Sequence, residues 1–164
     1  MVLLSPTSAS TSDQSSSTLE FWIPGVPAPQ GSKIATRWGT MRESSKRVAP
    51  WRNSVMWITE NDYHLPPIID PVCVEITFFF KRPKSHYGTG KNCEKLKPSA
   101  PEHCTSAAHG DIDKVARCTL DGLAQRSGGC VLKDDSQVVV LECIKRYASA
   151  HESSGALVRI TPIR

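Results

Sequence analysis

At 164 residues the chain is about one domain long, and 39% hydrophobic with 22% charged residues is the composition of an ordinary soluble globular protein. A formal charge of +4 favours a polyanionic partner over a cationic one but is too mild to require one. No stretch approaches the length needed to span a bilayer. Met1 to Leu4 is only a brief apolar run without a basic flank, so the six cysteines are expected as reduced thiols in a cytoplasmic protein.

Residues 1–18 are dominated by Ser and Thr, a composition too polar to offset the entropy of ordering, and predict a disordered tail ahead of a single domain over 19–164. Leu19 to Ile23 suits a short strand, ended by Pro24, Pro27 and Pro29, whose missing N–H groups stop a ladder. The stretch from Lys33 to Arg52 carries Lys33, Arg37, Arg42, Lys46, Arg47 and Arg52 against the single acid Glu43. It reads either as a solvated loop or as a surface for nucleic-acid phosphates. Ala49 to Tyr63 is helical, with Trp51, Val55 and Ile58 as apolar positions and Pro50 tolerated in the first turn.

Val72 to Phe80 places Val72, Val74, Ile76, Phe78 and Phe80 on one face and is the clearest strand of the chain. The connection from Lys81 to Gly110 is long and rich in Pro and Gly. Its cations Lys81, Arg82, Lys84, Lys91, Lys95 and Lys97 face only Glu94, which suits a basic arm touching DNA. Asp113 to Gln125 reads as a second helix with the stripe Val115, Ala116, Leu120 and Leu123, an N-cap at Asp113 and a stop at Gly128-Gly129. Strands follow at Gln137 to Ile144 and Ala156 to Thr161. The order predicts an α+β fold, a two-layer sandwich with helices on one face of a mixed β-sheet.

Asp111-Ile112-Asp113 before the second helix and Asp134-Asp135 after it are the residues with chemical potential. Asp111 and Asp113, two apart in extended backbone, would point to one side, and Asp135 would supply a third carboxylate. Oxygen ligands of this kind suit Mg²⁺ with coordination positions left for water and phosphate. Arg117, four residues after Asp113, lies one turn above it, where a cation can stabilise phosphate charge. Asp121 is two turns on, about 12 Å away, too far to share the ion. The same residues also admit plainer roles: a helix cap, an i,i+4 pair and a turn before a strand.

The run His109-Gly110-Asp111-Ile112-Asp113-Lys114-Val115-Ala116-Arg117-Cys118-Thr119-Leu120-Asp121-Gly122-Leu123, followed by Lys133-Asp134-Asp135-Ser136-Gln137-Val138-Val139, resembles the RusA family of Holliday junction resolvases. Pro27-Ala28-Pro29-Gln30-Gly31-Ser32 and Arg82-Pro83-Lys84-Ser85-His86-Tyr87 add similarity to phage-encoded members, so the resemblance spans about Glu20 to Ile163. It implies a homodimeric, Mg²⁺-dependent endonuclease, with Mn²⁺ as a substitute, that cuts paired strands of four-way junctions in DNA recombination and repair. For a phage or prophage product the compartment would be the bacterial host cytoplasm. Carried over by position, the catalytic metal ligands are Asp111, Asp113 and Asp135, with Asp134 beside them. DNA contacts fall to Lys33, Arg37, Arg42, Lys81, Arg82, Lys84, His86 and Lys114. The chain departs from the family at Arg117, where the best-known member has a lysine. Arginine keeps the positive charge but cannot exchange a proton near neutral pH, and Lys114 projects about 100° away from Asp113 on the helix.

Three alternatives remain from the residues themselves. A restriction-type nuclease would need Glu142 and Lys145 on one strand face, but a spacing of three puts them on opposite faces. A zinc module would draw on Cys93, His103, Cys104 and His109, which lack paired spacing. A non-catalytic DNA-binding accessory protein would use the acids only as caps and turns.

Overall fold

The computed structural model describes residues 17–31, 33–35, 37–43, 45–149 and 151–163; the expected disordered tail falls almost wholly outside them, as does Ser32. Strand β1 (Leu19–Pro24) is followed by β2 (Lys33–Ala35), β3 (Met41–Glu43), helix α1 (Val48–Asp62) and β4 (Val72–Phe80). Helix α2 (Ile112–Leu123), β5 (Val138–Tyr147) and β6 (Gly155–Pro162) complete the regular elements. The α+β expectation holds: four strands form one mixed sheet in the order β1-β6-β4-β5, with β4 parallel to β5 and antiparallel to β6.

The alternation in β4 decides the layering. Val72, Val74, Ile76, Phe78 and Phe80 are all at most 2% exposed and meet both helices in one core, while Glu75 on the other face is open to solvent. Burying each such side chain contributes about 1.5–3 kcal/mol. Trp51 of α1 reaches into the same core and donates from Nε1 to Thr119 Oγ1 of α2 at 3.1 Å, which satisfies a buried indole N–H. The helices approach closely because Gly122 has no side chain: a Cβ there would lie 2.8 Å from Val55 Cβ.

Two local expectations are corrected. The basic loop after β1 contains a small hairpin, β2 with β3, whose three-residue strands are too short to leave a two-residue periodicity in the sequence. Residues 81–110, read from the sequence as a long connection without secondary structure of its own, fold on themselves. Short 3-10 turns at Lys84–His86, Gly90–Asn92 and Ala107–His109 punctuate them, and Gly88 N–H donates to Lys95 O and Lys97 N–H to His86 O. A parallel β4–β5 pair needs such a crossover, and this segment with α2 provides it. Among the described residues no helix is long and apolar enough to cross a membrane.

Candidate functional site at the start of the second helix

The turn leading into α2 is held from three sides. Gly110 adopts φ +75° and ψ 174°, a region open essentially to glycine alone, and a Cβ there would lie 2.4 Å from Pro29 Cγ. The next residue of that proline-rich segment, Gln30, donates its backbone N–H to Lys114 O at 3.0 Å. From α1's N-cap Arg47 Nη2 donates to Ala108 O at 3.1 Å, and from β5 Lys145 Nζ donates to Gly110 O at 2.7 Å.

This turn delivers Asp111 and Asp113. The N-cap of α2 is Asp111, not Asp113 as the pattern suggested; Ile112 already opens the helix, so the two carboxylates flank the helix mouth instead of sharing one side of an extended segment. The partial positive charge of the helix N-terminus favours both. Asp111 is exposed and accepts from Lys114 Nζ at 2.6 Å; that ammonium holds its carboxyl below the usual carboxylate range. Sequence reasoning compared Lys114 with Asp113 and missed this i,i+3 pairing with Asp111, which arises because the N-cap side chain hangs over the first turn. Asp113 is exposed in that first turn.

Asp135 is elsewhere. Ala124, just past the end of α2, bridges to Leu132, and Asp135 begins the 3-10 turn that enters β5. Thirteen residues at 1.5 Å per residue separate the two ends of the helix, so Asp135 stands roughly 20 Å from Asp111 within one chain. Lys145, beside Gly110, lies at the opposite end of β5 from Asp135. Among the described residues no three His, Cys, Asp or Glu side chains gather closely enough to share a metal ion, which applies equally to the candidate zinc set. Asp134 has a capping role: it accepts from Ser136 N–H at 3.0 Å while Gln137 Oε1 accepts from Asp134 N–H. The Ser136 contacts keep its carboxyl below the usual range. Asp121 pairs with Arg52 of α1 at 2.8 Å, tying the helices together away from the turn.

The cationic candidates divide by environment. Arg117 is exposed on α2, Arg37 is exposed after β2, and the side chains of Lys33 and Arg42 lie outside the described residues. Arg82 is committed to structure, with its guanidinium 4.2 Å above the Tyr147 ring and Nη1 donating to Pro101 O. His86 packs edge-on against the same tyrosine, and its Nδ1 is buried without a hydrogen-bond partner, so it serves as an anchor of the loop. Lys81 and Lys84 instead line an open cleft of about 560 Å³ with Ser149, Ser153 and Ser154. Next to the turn, His109 lies 4.5 Å from Phe80, ring centroid to ring centroid; burial, then Lys145 and Arg47, push its pKa down.

Several residues at this site escaped sequence reasoning. Arg47 was only one of a basic run, and Lys145 was considered solely as a partner of Glu142. The two do lie on opposite faces: Glu142 is level with Glu75, and Lys145 is level with Phe78 on the helix side. Gln30 was visible within its motif, but nothing in the motif shows that its Oε1 is buried without a partner in the fold. The family model for endodeoxyribonuclease RusA matches residues 24–161. No curated protein matches the chain.

Proposed function

The chain belongs to the RusA family of endodeoxyribonucleases, structure-specific enzymes that resolve Holliday junctions, and from that premise we propose that the turn at Asp111 and Asp113 is its cutting centre. The observation that carries the reading is the pair of exposed carboxylates at the mouth of α2, on a turn fixed by Gly110, Pro29 and Lys145. Hard oxygen donors with open coordination positions suit Mg²⁺, with Mn²⁺ as a substitute. Asp111 and Asp113 would hold the cation, and freeing Asp111 requires Lys114 to swing from the carboxylate toward DNA phosphate. When bound, the cation supplies Lewis-acid polarisation of the phosphodiester and a more acidic attacking water. Arg117, exposed one turn further along the helix, adds charge stabilisation without proton transfer.

A third carboxylate comes from a second copy in this reading. β5 is an edge strand whose Val139, Val140, Leu141 and Ile144 are between 41% and 61% exposed, a long apolar edge of the kind that natural proteins cover. Antiparallel pairing of two such edges about a two-fold axis near Val140 would set the partner subunit's Asp135 against Lys145, next to Asp111. Acidic and basic strand ends then face each other. Two sites related by a two-fold axis also fit the paired cuts of a four-way junction. Lys81, Lys84 and Arg37 are among the exposed cations available to junction arms, and for a phage or prophage product the compartment would be the bacterial host cytoplasm.

Cleavage of a synthetic four-way junction beside linear duplex, with Mg²⁺ and with EDTA, tests the activity. We expect strong preference for the junction, and Asp113→Asn should abolish cutting while junction binding stays within about threefold. Binding without any metal-dependent cutting by the unaltered protein would favour the accessory-protein reading instead.

A further inference from the structure

We propose that Lys145 and Arg47 are positioning residues that clamp the carbonyls of Ala108 and Gly110 and so fix the direction in which Asp111 and Asp113 leave the turn. The activity arm of this inference rests on the nuclease reading above. Lys145 reaches across from the helix-side face of β5 to Gly110 O at 2.7 Å, and Arg47 from the start of α1 to Ala108 O at 3.1 Å. Two elements far apart in sequence therefore hold alternate carbonyls of one turn.

Neither cation has a carboxylate within ion-pair distance among the described residues, although Lys145 is half-buried. A half-buried ammonium compensated only by a neutral carbonyl is costly unless negative charge lies close by. The nearby anion that shares its field is Asp111. Between the two clamps sits His109, packed on Phe80, so the turn has little room to relax around a lost hydrogen bond. Gly110 itself resists no rotation, having no side chain, and its backbone conformation must be imposed from outside. Lys145, through the Gly110 carbonyl, and Pro29, packed where a Cβ would stand, impose it. A shift of about 1 Å in groups that orient a phosphate lowers turnover by about 100-fold.

The test compares Lys145→Met, Lys145→Arg and Arg47→Gln with the unaltered protein. It reads amide hydrogen exchange over residues 108–113, single-turnover cleavage of a four-way junction at saturating enzyme, and junction affinity without metal. Lys145→Met should speed exchange in this segment by about tenfold or more and slow cleavage by about 100-fold, with affinity changed less than about threefold. Lys145→Arg, which keeps a donor, should recover most of both. Arg47→Gln, at an exposed position, should loosen the same segment and keeps the test open if Lys145→Met does not fold. Unchanged exchange in both Lys145→Met and Arg47→Gln overturns the clamp, and so does faster exchange with undiminished cleavage. If the unaltered protein fails to cut any junction, the nuclease reading falls, and the exchange measurement still decides whether the clamp exists.

Discussion

At the scale of single residues, buried polar groups show how little slack the core has. Trp51 Nε1 depends on Thr119 Oγ1, which in turn donates to Val115 O at 3.0 Å. Thr119→Val keeps the shape but strands the indole N–H, and should lower stability by about 1–3 kcal/mol in denaturant titration, while Thr119→Ser should lower it less. Glu152 gives a pH signature. Its carboxylate accepts from Arg146 Nη1 at 2.8 Å and from Ser149 N–H at 2.8 Å, which together bring its pKa from 4.5 down to about 2. A depressed acid stabilises the fold fully above its unfolded value and loses that contribution as pH falls through the folded one. Melting temperature should therefore drop between pH 4.5 and about 2, and Glu152→Gln should flatten that part of the curve; identical slopes would reject the pairing. Of the candidate site residues, the two aspartates of the turn stood out in the sequence as a close pair, but the extended geometry read for them gave way to a helix start. Lys145 and Arg47 did not stand out, since a cation's value there depends on which carbonyl it reaches.

Elements were easier to read than their junctions. β4 was found at its observed bounds because five alternate apolar residues leave only one buried face. The N-cap of α2 was misplaced by two residues because Asp111 and Asp113 both suit a cap, and the choice falls to the Gly110 backbone and the Pro29 ring. Gly110→Ala should bring a backbone cost of about 1–3 kcal/mol together with the clash against Pro29, and should reduce junction cutting more than junction binding. Gly122→Ala poses a closer contest. Alanine gains about 1 kcal/mol of helix propensity, but overpacking against Val55 costs about 1–3 kcal/mol. A net loss of thermal stability is expected, and a stabilised variant would show that α1 and α2 can separate without penalty.

For the whole molecule, the decisive fact is that Asp111 and Asp135 sit at opposite ends of α2. A site shared between two copies makes a prediction that a site within one chain does not. Homodimers of Asp113→Asn and of Asp135→Asn should each be inactive, yet mixing them under exchange conditions should restore one intact site per heterodimer and produce nicked junctions. No recovery, with subunit exchange verified, would remove the shared site. Replacing Leu141 or Ile144 with Lys should leave a monomer that binds DNA weakly and does not cut. The sequence by itself determined the layering of the sheet and both helices, because periodicity and residue chemistry are local properties. Only the tertiary structure decided that Asp135 is remote from Asp111, that Asp111 is held by Lys114, and that Lys145 and Arg47 support the turn. The reach of Lys145 to Gly110 depends on how a crossover of more than fifty residues returns to the sheet. Spacing along a chain carries no record of that path.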